Sequence, residues 1–140
     1  MQSRGRRSAN EDIRDDELSH RIIGCAIKVH RVLGPGLLES AYESCLCYEL
    51  SRHGLAVARQ VILPVTYDGL KIDAGYKPDI IVKGEFLIEL KTVTQLLPIH
   101  DAQILTYLRL SGIERGLLMN FHSQPLAKGI KRFALSRSSP

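Results

Sequence analysis

The sequence predicts an α/β (α+β) domain in which one sheet is flanked by helices. Two helical patterns open the chain, three strand patterns with short turns follow, and a third helix precedes a short buried strand. Each amphipathic helix must bury its apolar stripe, and a single sheet offers two faces for this. We expect one domain over residues 15–135, a flexible tail over 1–14 and a disordered tail over 136–140.

The helices are predicted from apolar residues that recur at helical spacing. Three segments show this spacing, at residues 18–33, 37–53 and 100–110. Gly34-Pro35-Gly36 separates the first two because glycine and proline interrupt helices. Two adjacent helices therefore open the fold.

Strands are predicted where β-branched and aromatic residues concentrate between turn residues. Four segments have this composition, at residues 57–67, 70–82, 86–92 and 117–121. Asp68-Gly69 favours a hairpin turn between the first two, and residues 83–85 make the next turn. The first three strands are expected to form an antiparallel meander. Residues 126–135 are expected to form either a last basic helix or an edge strand.

Composition excludes several classes of protein. With 140 residues, 44% of them hydrophobic and 24% charged, the chain can bury one core and is not wholly disordered. No apolar run approaches the roughly 18 residues of a membrane-spanning helix, and residues 1–16 are too polar for a signal peptide, so we expect a cytoplasmic protein. Cys25, Cys45 and Cys47 lack the paired spacing of a zinc site and are expected to be reduced core thiols, with a redox role for Cys45 or Cys47 as the alternative.

The net charge of +4 is unevenly distributed. Residues 126–140 carry four basic side chains and no acidic ones, whereas residues 13–125 are close to neutral. Basic ends on a neutral body suit a polyanionic partner, because lysine and arginine neutralise phosphates. The alternative is that both ends serve only as solubilising tails.

The strand over residues 86–92 contains charges in an otherwise apolar run. Glu89 and Lys91 are two residues apart, so both side chains point to the same face of the strand. A buried charge needs a partner or a metal ion. If residues 83–85 form a three-residue loop, Asp79 on the preceding strand lies opposite Glu89; a two-residue loop would place it opposite Leu90 instead.

Two carboxylates that face each other across a sheet repel, and this favours a bound cation. Oxygen ligands suit Mg²⁺, with Mn²⁺ as a substitute, better than zinc. Lys91 could then orient a water molecule and stabilise charge on a phosphate. The alternative is that Lys91 only forms an ion pair with Glu89 or Asp79.

These residues resemble a known signature. Asp79, preceded by Pro78, and Glu89-Leu90-Lys91 match the pattern of the PD-(D/E)XK nuclease superfamily. Residues 36–42 have the pattern GxxExxY, which resembles the opening of the GxxExxY protein family, a bacterial branch of that superfamily. The resemblance covers about residues 18–133 and includes further matching segments at residues 29–35, 75–76, 103–107 and 116–121.

The resemblance implies a restriction-endonuclease-like core with a central mixed sheet. It also implies that Glu39, on the helix before the sheet, is a third metal ligand beside Asp79 and Glu89. Gln103 and Tyr107 resemble the QxxxY motif of RecB-type nucleases, and their spacing places them on one helical face. Tyr42 is expected to pack in the core. His30 and His100 are expected to be capping or half-buried residues, with contact to phosphate as the alternative.

Together these observations predict a Mg²⁺-dependent nuclease that hydrolyses phosphodiester bonds in DNA, with RNA as the alternative. The expected catalytic residues are Glu39, Asp79, Glu89, Lys91, Gln103 and Tyr107, of which the three acids bind the metal. The expected partners are nucleic acid and a second copy of the chain, with no membrane. A function of another class remains open, in which the domain binds nucleic acid or a protein without cleaving.

Overall fold

The structure, a computed structural model, describes residues 9–136, and their side chains from residue 17 onward. The helices are α1 (Ala9–Leu33), α2 (Glu39–Arg52) and α3 (Pro98–Ser111), with a short 3-10 helix at Leu126–Gly129. The strands are β1 (Val57–Arg59), β2 (Val65–Tyr67), β3 (Leu70–Ile72), β4 (Ile80–Val82), β5 (Phe86–Lys91), β6 (Arg115–Asn120) and β7 (Ile130–Ala134). In this part of the chain no helix combines the length and apolarity needed to cross a bilayer.

Five strands form a mixed sheet in the order β1-β4-β5-β6-β7. β5 and β6 run parallel, and every other neighbouring pair is antiparallel. A parallel pair needs a crossover, and α3 provides it between β5 and β6. The predicted fold class, a mixed sheet flanked by helices, is confirmed.

The sheet separates two apolar clusters, because alternate residues of each strand face opposite sides. On one face, Ile88 and Leu90 of β5 pack with α1 and α2. On the other face, Leu87 packs with Ile104 and Leu108 of α3. Glu89 and Lys91 have the same parity as Leu87, so they belong to the face that α3 covers.

The predicted long strands over 57–67 and 70–82 are wrong. β1 pairs with β4, while β2 and β3 form a separate two-stranded hairpin between them. Pro64 and Pro78 have no N–H to donate to a strand partner. Gln60 (φ 53°) and Gly75 (φ 84°) also have left-handed backbone conformations, which end an extended strand.

The N-terminal end differs from the prediction, whereas the segment over 126–135 follows the edge-strand alternative. α1 begins at Ala9, within the segment expected to be a flexible tail. Residues 9–17 contain few apolar residues, so hydrophobic periodicity does not mark them as helix. Residues 126–135 contain the short 3-10 helix followed by edge strand β7. Residues 1–8, and 137–140 of the expected C-terminal tail, lie outside the described part.

The cysteines have the expected character. All are free thiols; Cys25 and Cys47 are buried and Cys45 is half-buried. Burial raises the pKa of the Cys47 thiol to about 11, and burial also raises the pKa of Cys25. Both of these thiols are therefore protonated and unreactive at neutral pH.

Tyr42 lies in the core and anchors the loop between α1 and α2. Its side chain is fully buried, and its ring stacks on Phe121 with centroids 4.6 Å apart. The hydroxyl group donates to the Gly34 carbonyl and accepts a hydrogen bond of 3.2 Å from the Leu37 N–H. The tyrosine of the GxxExxY pattern thus fixes the loop that leads into Glu39.

We expect Tyr42→Phe to lower the free energy of unfolding by about 1–2 kcal/mol, because the Gly34 carbonyl and the Leu37 N–H both lose a partner. Chemical denaturation measures the change. Tyr48→Phe is the control, since the Tyr48 side chain is 65% exposed. Equal stability of the Tyr42→Phe and Tyr48→Phe proteins would contradict the anchoring role.

Candidate active site

The register of β4 and β5 places Asp79 opposite Glu89. The paired residues are Ile80 with Ile88 and Val82 with Phe86. Continuing this register by one residue beyond β4 brings Asp79 level with Glu89. The three-residue loop over 83–85 is therefore confirmed, and the alternative that opposed Asp79 to Leu90 is excluded.

Each of the two carboxyl groups accepts a hydrogen bond from a backbone N–H of the segment that carries the other acid. The Asp79 N–H donates to Glu89 Oε1 over 3.1 Å, and the Leu90 N–H donates to Asp79 Oδ2 over 2.8 Å. Pro78 cannot donate to β5, so regular strand pairing ends here and side-chain oxygens accept these backbone hydrogens instead. The exchange fixes both carboxyl groups at the end of the strand pair.

The pair carries unfavourable negative charge. Glu89 is 4% exposed. Burial, followed by the charge of Asp79, raises the pKa of Glu89 to about 8. Burial is also the largest cause that raises the pKa of Asp79. The raised pKa values mean that the pair disfavours carrying two negative charges at once. A cation in this place would favour the charged form of both carboxyl groups.

Lys91 is the cation that the structure places beside the pair. Its Nζ lies 3.7 Å from Glu89 Oε2, and its side chain is 16% exposed. The shared face expected for Glu89 and Lys91 is thus observed. The contact is longer than a strong charge-assisted hydrogen bond of about 2.7–2.9 Å. Lys91 therefore does not fully neutralise Glu89.

Glu39 is the first residue of α2 and contacts the end of β5. Its Oε2 accepts hydrogen bonds from the Thr92 N–H at 3.1 Å and from Thr92 Oγ1 at 3.4 Å. Its charge contributes to raising the pKa of Asp79. Among the described side chains, no three His, Cys, Asp or Glu residues form a group that could hold a metal ion. Glu39 therefore lies near the pair without completing a three-acid cluster.

Gln60, which follows β1, contacts Asp79 and links it to Glu43 of α2. Gln60 Nε2 donates to both carboxylate oxygens of Glu43 at 3.2 Å and to Asp79 Oδ1 at 3.4 Å. The Gln60 N–H also donates to the Asp79 carbonyl. Glu43 is buried and forms an ion pair with Arg59 at 3.1 Å. The sequence reasoning missed Glu43 and Gln60. The only signal in the sequence was that Glu43 lies one helical turn after Glu39, which could have indicated Glu43 but not Gln60.

Gln103 and Tyr107 lie on the side of α3 that faces the acids. Gln103 Nε2 donates to the Tyr107 hydroxyl over 3.2 Å. Burial and then the charge of Glu89 raise the pKa of Tyr107. α3 can approach β6 closely at Gly116, where a Cβ atom would lie 3.1 Å from Ile104 Cδ1. Sheet packing thus brings the QxxxY pair into the electrostatic field of the acids.

The end of β5 is fixed by Asn120, which the sequence reasoning also missed as a positioning residue. Asn120 Oδ1 accepts from the Val93 N–H at 3.1 Å, and its Nδ2 donates to the Val93 carbonyl at 2.8 Å. His30 is buried with its Nε2 at 3.1 Å from the Phe121 carbonyl. His100 Nδ1 accepts from the Leu97 N–H at the start of α3. Both histidines therefore have structural contacts.

The donor set suits a hydrated divalent cation. Asp79 and Glu89 supply carboxylate oxygens, and Lys91 leaves their charge incompletely neutralised. Mg²⁺ commonly binds through one or two carboxylates and keeps several waters, so it does not need a three-acid cage. The described residues provide no cysteine or histidine at this place that would favour zinc.

The chain was compared with known protein families, curated sequences and solved structures. The model of the PD-(D/E)XK nuclease superfamily matches residues 16–133. No curated protein sequence matches the chain. The chain is similar to the crystal structure of LHK-Exo in complex with dAMP, with 16% identity over 81% of this chain and 76% of that one, at a TM-score of 0.41; likeness at this level is too distant to add to the assignment. The family match covers most of the chain, and the chain therefore belongs to the PD-(D/E)XK nuclease superfamily.

Proposed function

We propose that this protein is a Mg²⁺-dependent nuclease that hydrolyses phosphodiester bonds in DNA. The observation that carries the proposal is the pair of buried Glu89 and half-buried Asp79 with Lys91 beside it. Two acids held side by side at the end of a strand pair are unfavourable in a purely structural role. They are favourable where a divalent cation binds.

The residues have distinct roles in this proposal. Asp79 and Glu89 would hold the cation directly, and Glu39 would extend the site from α2. When bound, Mg²⁺ neutralises the carboxylates and stabilises the negative charge that builds up on a phosphoryl group. Lys91 would orient the attacking water and contribute positive charge at the reacting phosphate. Gln103 and Tyr107 would line the substrate side.

Metal binding is the first test. We expect isothermal titration to show Mg²⁺ or Mn²⁺ binding to the wild type and at least tenfold weaker binding to Asp79→Asn, because one of the two charged ligands is lost. Asp73→Asn is the matched control, since Asp73 is exposed and its Oδ1 caps the Gly75 N–H. Cleavage of single-stranded, duplex and branched DNA, and of RNA, is measured with the same proteins.

The outcomes separate the two classes of function. Metal binding together with metal-dependent cleavage supports the nuclease. Nucleic-acid binding that persists without any effect of Mg²⁺, and without cleavage by the wild type, would contradict it and favour the non-cleaving module.

Gln60 is expected to tune the metal site without binding the metal. Gln60→Ala removes the donor that spans Glu43 and Asp79, so Asp79 loses a partner that orients it. We expect Mg²⁺ affinity to fall about tenfold, as for other residues that orient metal ligands. The exposed Gln95→Ala is the control. Equal Mg²⁺ affinity of Gln60→Ala and wild type would show that the Leu90 N–H alone positions Asp79.

The proposal also includes a family branch, a cellular location and an oligomeric state. The GxxExxY pattern over 36–42 supports placement in the bacterial GxxExxY branch, and a cytoplasmic location accords with access to DNA. A homodimer would let a small domain surround a duplex. Light scattering on the purified protein measures the oligomeric state.

A further inference from the structure

A cavity of about 350 Å³ lies beside the proposed catalytic residues. It is lined by Tyr76 and by five residues of α3: Ile99, His100, Ala102, Gln103 and Thr106. Gln103 belongs both to this cavity and to the candidate active site. The Tyr76 ring meets the Tyr107 ring edge-on, with centroids 6.3 Å apart and planes at 79°. The cavity therefore adjoins the acids through Tyr107.

The walls of the cavity offer flat apolar surface. Tyr76 is 37% exposed and Ile99 is 68% exposed, although both side chains are large and hydrophobic. The Tyr76 ring contacts the Tyr107 ring edge-on, and this contact orients its exposed surface. A half-exposed aromatic ring next to the proposed catalytic residues suits stacking with a nucleobase.

The polar groups of the cavity complement a base edge. His100 Nδ1 accepts from the Leu97 N–H at 2.9 Å, so a neutral His100 carries its proton on Nε2 as a donor. Gln103 Nε2 donates to Tyr107, and no group in the described part of the chain donates to Gln103 Oε1. The cavity thus combines one donor, one acceptor and an aromatic face.

We propose that this cavity binds one unpaired nucleobase of the substrate strand, beside the phosphodiester that is hydrolysed. A base in a duplex is stacked and paired, so the site selects single-stranded segments or splayed ends. The cavity volume is at the lower end of the range for small-ligand sites, which fits a single base. The position relative to the reacting phosphate rests on the proposed function, but the base site itself does not.

The test is binding of a short labelled single-stranded DNA to Tyr76 variants in EDTA, where no metal-dependent cleavage occurs. The measurement is repeated with oligonucleotides that carry one abasic site at successive positions. We expect Tyr76→Ala to bind the intact strand about tenfold more weakly than wild type, and Tyr76→Phe to bind like wild type. Tyr67→Ala is the control, because Tyr67 is 74% exposed on the β2–β3 hairpin and does not line the cavity.

The abasic series makes the result specific. At one position, base removal should weaken binding to wild type but not to Tyr76→Ala, because the variant has already lost that stacking contact. A single such position supports the proposal. Equal affinity of Tyr76→Ala and wild type, the same loss in Tyr67→Ala, or an additive effect of every abasic site would overturn it.

A separate measurement of Mg²⁺-dependent DNA cleavage distinguishes failure of the base site from failure of the proposed function. If the Tyr76-dependent base site is found but Mg²⁺ supports no cleavage of any DNA, hydrolysis is contradicted and the base site stands. If Mg²⁺-dependent cleavage occurs and Tyr76→Ala leaves both KM and single-strand affinity unchanged, the base site is contradicted and the nuclease stands.

Discussion

Lys91→Met is expected to reduce DNA hydrolysis at least about 1000-fold while Mg²⁺ affinity is kept or increased. Methionine preserves most of the length of the lysine side chain but removes the charge. The cation would still be held by Asp79 and Glu89, and it would no longer be repelled by the ammonium group 3.7 Å from Glu89 Oε2. A loss of kcat with intact metal binding is therefore the signature of a lysine that acts on water and phosphate.

Lys83→Met is the matched control for this variant. Lys83 is exposed in the turn that joins β4 to β5, at the opposite end of the strand pair from the acids. It loses the same charge without touching the site, so its kcat should equal that of wild type. If Lys91→Met also keeps its kcat, Lys91 serves only as the ion-pair partner of Glu89. Circular dichroism checks that both variants are folded.

The sequence was sufficient to predict the parts of the site that depend on local geometry. The shared face of Glu89 and Lys91 follows from strand alternation, and the position of Asp79 was reduced to two alternatives, of which the three-residue turn over 83–85 gives the observed one. Both need only the period of a strand and one loop length. The packing of helices on both faces of the sheet was predictable for a similar reason, because each helix must bury its apolar stripe against a sheet.

The parts that the sequence could not predict depend on contacts between distant segments. Gln60 reaches Asp79 because its backbone is left-handed, a conformation that few residues other than glycine adopt. Pairing of β1 with β4 replaced the expected long strands, since the chain between them forms its own hairpin. The Asn120 side chain at the end of β6 forms two hydrogen bonds with the Val93 backbone beyond the end of β5. No periodicity in the sequence marks these contacts.

Glu89→Gln is expected to make the metal-free protein more stable than wild type at pH 8, by about 3 kcal/mol. Burial and the charge of Asp79 raise the Glu89 pKa from its ordinary value of 4.5 to about 8. Between these values the folded wild type keeps a proton that the unfolded chain has released, so its stability falls as the pH rises. The glutamine has no such proton, and its amide can donate to Asp79.

The difference between the two proteins should therefore be small near pH 5 and grow steadily to pH 8, as measured by urea denaturation in EDTA. Comparing variant with wild type cancels the titration of other groups, such as Glu49, whose pKa is lowered by its hydrogen bond with Lys28. Glu85→Gln, in the exposed turn before β5, controls for net charge. Excess Mg²⁺ should reverse the order at pH 8, because the wild type gains the binding energy of the cation and the variant gains less. A pH-independent difference would mean that the pKa of Glu89 is not raised in the folded protein, and the electrostatic reason for a cation at this place would be lost.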